Sequence, residues 1–188
     1  MPQDDKSADK SPGKSADSGS PSGAGTDRLT ALTQMLMPSV PRPAAWLGVA
    51  GLLPFAALAL AAVILGGAVG DLAAAALAGY GAAILSFMGG CRWGFVAAGI
   101  GAAESGGPES PTAWWRYGVS VAPALYATAV LLIPDPWRPA LLAGGFIGLL
   151  VADLGLAVQK GAPDWWPALR WPLSLGAAGC LAIAALLG

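Results

Sequence analysis

A stretch of 22 residues without a charged side chain constrains this sequence more than any other feature. It covers residues 46–67, and a helix rising about 1.5 Å per residue would extend about 33 Å over that length, enough to cross the hydrocarbon core of a bilayer. Further apolar stretches of similar length occupy residues 72–94, 117–134, 139–158 and 168–187. We therefore predict an all-α polytopic membrane protein, a bundle of five transmembrane helices.

Charge is scarce and concentrated at the N-terminus. Charged residues make up 11% of the chain, against about 25% in soluble proteins. Residues 1–28 consist mainly of Ser, Gly, Pro, Asp and Lys, and such a segment buries too little apolar area to offset its ordering entropy. We predict a disordered tail over residues 1–28, a linker or short interfacial helix over 29–44, and a five-span membrane domain over 45–188.

The orientation follows from the distribution of Lys and Arg. Excluding the three lysines of the distant tail, six basic residues are predicted on one side of the membrane and only Arg138 on the other. The six are Arg28, Arg42, Arg92, Arg116, Lys160 and Arg170. Because the side richer in Lys and Arg faces the cytoplasm, we predict a cytoplasmic N-terminus and a C-terminus on the opposite side of the membrane.

Two charges are predicted at membrane depth, Arg92 in the second span and Asp153 in the fourth. A charge at the centre of a membrane helix costs about 2.5 to 3.5 kcal/mol on the insertion scale, so such residues are usually paired or functional. Both lie near the predicted cytoplasmic interface, where they could meet as an intramembrane ion pair. The alternatives are contact with a proton, ion or lipid headgroup, and two independent side chains that reach the interface separately.

A ladder of small residues recurs every four positions in the second span. Its members are Ala82, Ser86, Gly90, Gly94 and Ala98. Small side chains allow two membrane helices to approach closely. The ladder is therefore a candidate helix-packing face, and the second helix is predicted to begin at an N-cap formed by Asp71.

The sequence contains no histidine, which removes the commonest general base and the commonest transition-metal ligand. It also lacks a P-loop, a nucleophile elbow, a zinc-protease motif and a dinucleotide fingerprint. The net charge of −1, without a basic patch, argues against nucleic acid as a partner. We predict no catalytic residue, no cofactor and no metal site; the predicted partners are the lipid bilayer and other membrane proteins or copies of this chain.

Several motifs resemble one known family. They are GLLPFAALAL at residues 51–60, YGAAILSFMGGCRWG at 80–94, VAPALYA at 121–127, VADLGL at 151–156 and PDWWPALRWPLS at 163–174. Together they resemble the transmembrane protein 69 family, also called domain of unknown function 3429. The resemblance implies a small multi-span protein of bacterial inner membranes, with relatives in mitochondria and without an established activity.

Two functions remain open from the sequence. The first is a non-catalytic accessory protein that helps to assemble or stabilise a larger membrane complex, which the small-residue ladder favours. The alternative is a transporter of a small solute, an ion or a lipid that uses Arg92 and Asp153.

Overall fold

The computed structural model describes residues 39–102, 106–107 and 109–187. Within these ranges the chain forms five helices and no strand. They are α1 (Arg42–Leu65), α2 (Gly67–Ala97), α3 (Pro111–Leu131), α4 (Trp137–Val158) and α5 (Trp166–Leu187). The predicted all-α class is confirmed, whereas the predicted tail over 1–28 and most of the linker over 29–44 lie outside the described residues.

Four of the five helices, α1, α2, α4 and α5, are long and apolar enough to cross a membrane. The 21-residue α3 extends about 32 Å but is less apolar, because its first half contains Arg116, Tyr117 and Ser120. Crossing of the membrane by α3 therefore stays a prediction.

Consecutive helices run antiparallel. Tyr80 of α2 donates a hydrogen bond to the carbonyl of Gly51 in α1 at 2.9 Å, and Tyr126 of α3 donates one to the carbonyl of Leu141 in α4 at 2.7 Å. As a result α1, α3 and α5 point in one direction, and α2 and α4 point in the other. Among the described helices α3 packs on α2 and α4, and α5 packs on α1 and α4.

The core contains residues from all five helices, with Ala127 and Val130 contributed by α3. Phe55 of α1 packs edge-to-face against Tyr80 of α2 and Phe146 of α4, with ring centroids 4.9 and 5.7 Å apart. Leucines from α2, α4 and α5 close the space around these rings. Large apolar side chains also cover the outer surface, including Leu60, Leu125 of α3 and Val151. An apolar exterior of this kind fits a lipid environment.

The turn between α1 and α2 is shorter than the sequence predicted. Gly66 alone separates the two helices, with a backbone φ of 58° that favours glycine. Gly70 then packs against α1, where an added Cβ would lie 3.1 Å from the carbonyl oxygen of Ala62. The prediction that Asp71 caps α2 was wrong, because α2 has already begun at Gly67.

Candidate functional site

Asp153 is the centre of a buried cluster of charges. It lies five residues before the end of α4 and is 1% exposed. Its two carboxylate oxygens bind two different arginines, from α2 and from α5. We call Arg92, Asp153 and Arg170 the charge triad.

Arg92 supplies the first contact of the triad. Its Nη1 donates to Oδ1 of Asp153 at 3.2 Å. The structure thus brings together the two charges that the sequence singled out. The contact is possible because α2 and α4 run parallel, so that residues near their C-terminal ends lie at the same depth.

Arg170 supplies the second and shorter contact. Its Nε donates to Oδ2 of Asp153 at 2.6 Å, and Arg170 is 2% exposed. Its guanidinium carbon lies 5.7 Å from the ring centroid of Trp166, one turn earlier in α5, within the range of a cation–π contact. The rings of Trp166 and Phe95 in α2 pack edge-to-face, so the aromatic partner of Arg170 is itself packed against α2.

Three polar atoms beside the triad are buried without a hydrogen-bond partner among the described residues. They are Nη2 of Arg170, Nε1 of Trp166 and Oγ of Ser174. The Trp166 indole N–H is close enough to the Asp153 carboxylate to interact with it electrostatically, but it does not meet hydrogen-bond geometry. Trp166, Arg170 and Ser174 follow one another at intervals of about one turn of α5, and all three are buried.

The triad carries one more positive than negative charge, because Arg92 and Arg170 share a single carboxylate. Ion pairs withdrawn from water gain little net stability, whereas a buried charge that loses its partner is strongly destabilising. Asp153 is therefore the residue on which the arrangement depends: each arginine has a contact to it, and it joins α2, α4 and α5.

Arg116 forms a second polar cluster near the same end of the bundle. Its guanidinium donates to the carbonyls of Ile100 at 2.7 Å and Gly101 at 3.2 Å, after α2, and to that of Gly161 at 3.4 Å, before α5. Arg116 was predicted only as an interfacial charge. In the structure its hydrogen bonds link α3 to the segment that follows α2 and to the segment that precedes α5.

Arg92 and Arg116 also line a cavity of about 280 Å³ between α2, α3 and α4. Ser120 and Gln159 contribute further polar groups to its wall, and Trp115 lines it as well. Arg92 of the triad is therefore accessible from this cavity.

The small-residue ladder does not form one contact face within the chain. Ala82 is buried and Ser86 is partly buried, but Gly90, Gly94 and Ala98 are exposed. Four residues advance an α-helix by about 400°, so a period of four drifts about 40° per step and leaves the contact face after two steps.

The close contact between α2 and α3 uses Gly89, which is adjacent to the ladder. A Cβ added there would lie 2.5 Å from the carbonyl oxygen of Ser120 and 3.3 Å from Pro123. This close approach lets α3 pack beside the segment of α2 that presents Arg92.

Arg170 and Trp166 are the site residues that the sequence reasoning missed. Arg170 was counted with the connection between the fourth and fifth spans, although the fifth span was predicted from residue 168, because the stretch without charge begins only at Trp171. The available signal was Pro167, since proline is favoured in the first turn of a helix. A helix that begins at Trp166 places Arg170 one full turn inside it.

Comparison with known proteins identifies the family of the chain. Residues 40–186 match the model of DUF3429, a family described as protein of unknown function. Transmembrane protein 69 of Xenopus tropicalis is 37% identical over 136 residues, which is 69% of this chain and 48% of that protein. Transmembrane protein 69 of Mus musculus is 34% identical over 139 residues, covering 69% and 50%.

The chain thus spans about half the length of the curated relatives it matches. No solved structure matches it significantly. The structure has helices long and apolar enough to cross a membrane, and both relatives are transmembrane proteins by name. Because the family match covers residues 40–186, the chain belongs to the DUF3429 family.

Proposed function

We propose that this protein is a non-catalytic accessory component that stabilises a larger membrane complex by packing its helices against another membrane protein or a second copy of itself. The observation that carries the proposal is a pair of exposed glycines on each of two helices. They are Gly90 and Gly94 of α2, and Gly144 and Gly148 of α4. A Cβ added at any of the four would meet no other described residue within 4 Å.

Glycines in these positions weaken the helices that contain them. Each costs about 1 kcal/mol relative to alanine in a helix interior, and none of the four is needed for a close contact within the chain. Pairs of small residues four positions apart let two helix backbones approach closely in a membrane. Contact with a helix outside this chain gives the exposed glycines a function.

The test compares two double variants with a matched control. Gly90→Leu/Gly94→Leu and Gly144→Leu/Gly148→Leu would each block one surface without an internal clash. Gly79→Leu is the control, because Gly79 is also exposed in α2 and has no neighbour within 4 Å.

We expect the wild-type protein and the control to copurify with a stoichiometric partner, or as an oligomer, in mild detergent. At least one double variant should lose that association while its melting temperature is maintained. A wild-type protein that is monomeric and alone in several mild detergents would contradict the proposal, and so would double variants that associate normally.

The same proposal includes an orientation. The N-terminus lies in the cytoplasm and the C-terminus in the periplasm of a bacterial inner membrane, supported by the six-to-one excess of basic residues on one side. In this orientation the triad lies close to the cytoplasmic surface.

A second candidate function is transport of a small solute, ion or lipid. It is favoured by the cavity that exposes Arg92 on its wall, because intramembrane charges often mark a transport path. The test is flux of candidate anions into proteoliposomes. Transport by the wild type that is abolished in Arg92→Gln, with normal folding, would favour this function over the accessory one.

A further inference from the structure

A largely apolar pocket opens between α1, α2 and α5 and shares no lining residue with the Arg92 cavity. Its volume is about 290 Å³, at the lower end of the range for ligand sites. The wall includes Gly51 and Phe55 of α1, Met88 of α2 and Ala177 of α5, and Arg170 is its charged member. At the mouth, Leu47 and Phe87 are highly exposed, so the pocket opens toward the lipid-facing surface.

The polar groups of this pocket lie at one end of it. Trp166 and Arg170 line it within the first turns of α5, whereas Phe55, Phe146 and Ala177 line it deeper in the bundle. The α1 segment of the wall, from Ala44 to Phe55, extends about 17 Å along the helix axis. The pocket is therefore elongated along the bundle, with Trp166 and Arg170 at one end and apolar side chains along the rest of its wall.

The donors at the polar end have unused capacity. Nη2 of Arg170 and Nε1 of Trp166 have no hydrogen-bond acceptor among the described residues, and both residues are more than nine-tenths buried. Buried polar groups normally have partners, so these two require an acceptor. Asp153 does not line the pocket, and its carboxylate lies close to the Trp166 N–H but outside hydrogen-bond geometry, so Nη2 of Arg170 is the donor for which the described residues offer no acceptor.

The charge of the triad specifies the kind of acceptor. Two arginines and one carboxylate leave a net charge of +1 in a region mostly withdrawn from water, which an anion would neutralise. A neutral acceptor would satisfy the hydrogen bonds but would leave the charge uncompensated. Charge-assisted hydrogen bonds to an oxyanion are also the stronger interaction.

We infer that this pocket binds an anionic amphipath, an oxyanion carried on an acyl chain, with the oxyanion on Arg170 and Trp166 and the chain between α1, α2 and α5. The shared chemistry is that of a fatty-acid carboxylate or an anionic phospholipid phosphate. Transfer of a chain from lipid to an apolar pocket gains little, because lipid is equally apolar. Selectivity therefore comes from the head group. The inference is independent of the accessory role.

The experiment uses the full chain, delipidated in a neutral detergent, with binding measured by native mass spectrometry and by the shift in melting temperature. The probes are sodium oleate, dioleoyl phosphatidylglycerol, dioleoyl phosphatidylcholine, oleyl alcohol and sodium acetate. We expect a 1:1 complex and a raised melting temperature with oleate or phosphatidylglycerol, and neither with oleyl alcohol or acetate. Binding of oleate alone assigns the carboxylate, and binding of phosphatidylglycerol alone assigns the phospholipid.

Three variants locate the binding. Gly51→Leu places a side chain in the pocket, where Tyr80 Oη is the one described atom within 4 Å of the new Cβ, and it should abolish binding. Gly79→Leu, outside the pocket, should bind normally. Arg170→Gln removes the excess charge, leaves Asp153 paired with Arg92, and should weaken binding about tenfold or more, since a hydrogen bond to a charged group contributes about 1.5–3 kcal/mol.

Three results would overturn the inference. One is the absence of a 1:1 complex with either anionic probe. Another is binding of oleyl alcohol as tight as that of oleate, which would remove the anion from the assignment. The third is normal oleate binding by Gly51→Leu. If Arg170→Gln does not fold, Gly51→Leu and the comparison of head groups still decide the question.

Discussion

Removal of the Asp153 carboxylate should destabilise the protein more than removal of either arginine. In Asp153→Leu both arginines lose their acceptor, and their side chains are 9% and 2% exposed. Loss of one partner from a buried ion pair costs about 3–5 kcal/mol. We expect a loss within or above that range, because two cations are stranded together.

Arg92→Leu removes only one of the two arginines that contact Asp153. Asp153 keeps its 2.6 Å contact with Arg170, and the remaining pair is neutral. The loss is then one hydrogen bond to a charged group, about 1.5–3 kcal/mol. The double variant Asp153→Leu/Arg92→Leu should recover part of the loss of Asp153→Leu but not all of it, because Arg170 remains without its carboxylate.

The assay is unfolding in mixed detergent micelles, with a thermal melt as a second measurement. The matched control is Asp135→Leu, because Asp135 contacts Arg138 at 3.1 Å but is 60% exposed. An exposed pair contributes less than about 1 kcal/mol, so the control should unfold nearly as the wild type does. The reasoning is refuted if Arg92→Leu costs as much as Asp153→Leu, or if Asp153→Leu is as mild as the control.

Three further predictions concern other parts of the chain. Gly89→Ala should destabilise the protein by about 1–3 kcal/mol, because its Cβ would press on the backbone oxygen of Ser120. Gly90→Ala should be neutral or stabilising by up to about 1 kcal/mol, and thermal melts of the two variants measure the difference. Arg116→Leu should increase protease cleavage in the connections that its side chain fastens, and Arg116→Lys should not rescue them, because an ammonium lacks the planar set of donors. Deletion of residues 1–26 should leave the melting temperature within a few degrees of the full chain, because their composition favours no packed structure.

The ends of α4 and α5 were predictable from the sequence to within about two residues. The span predicted over residues 139–158 corresponds to Trp137–Val158 in the structure, and the one over 168–187 corresponds to Trp166–Leu187. Prolines and charges near the ends of these segments restrict where a membrane helix can begin and end. The third helix was predicted from residue 117 but begins at Pro111, because Ser110 caps it by accepting a hydrogen bond from the Ala113 N–H.

The site was predictable only in part. Arg92 and Asp153 stood out because each interrupts an apolar stretch, and charge in such a place usually requires a partner. Arg170 gave no such signal, since an arginine at the edge of an apolar stretch ordinarily reaches the interface. Its burial depends on Trp166 and on the packing of α5 beside α2, which local sequence does not encode.

The five-span topology requires α3 to cross the membrane together with the four more apolar helices. The most direct measurement is a pair of topology reporters, one fused before Met1 and the other after Gly188, in the otherwise unchanged chain. Five crossings place the termini on opposite sides, so the N-terminal reporter should be active only in the cytoplasm and the C-terminal reporter only in the periplasm. Two reporters active on the same side would mean that an even number of helices cross, which would contradict the five-span topology.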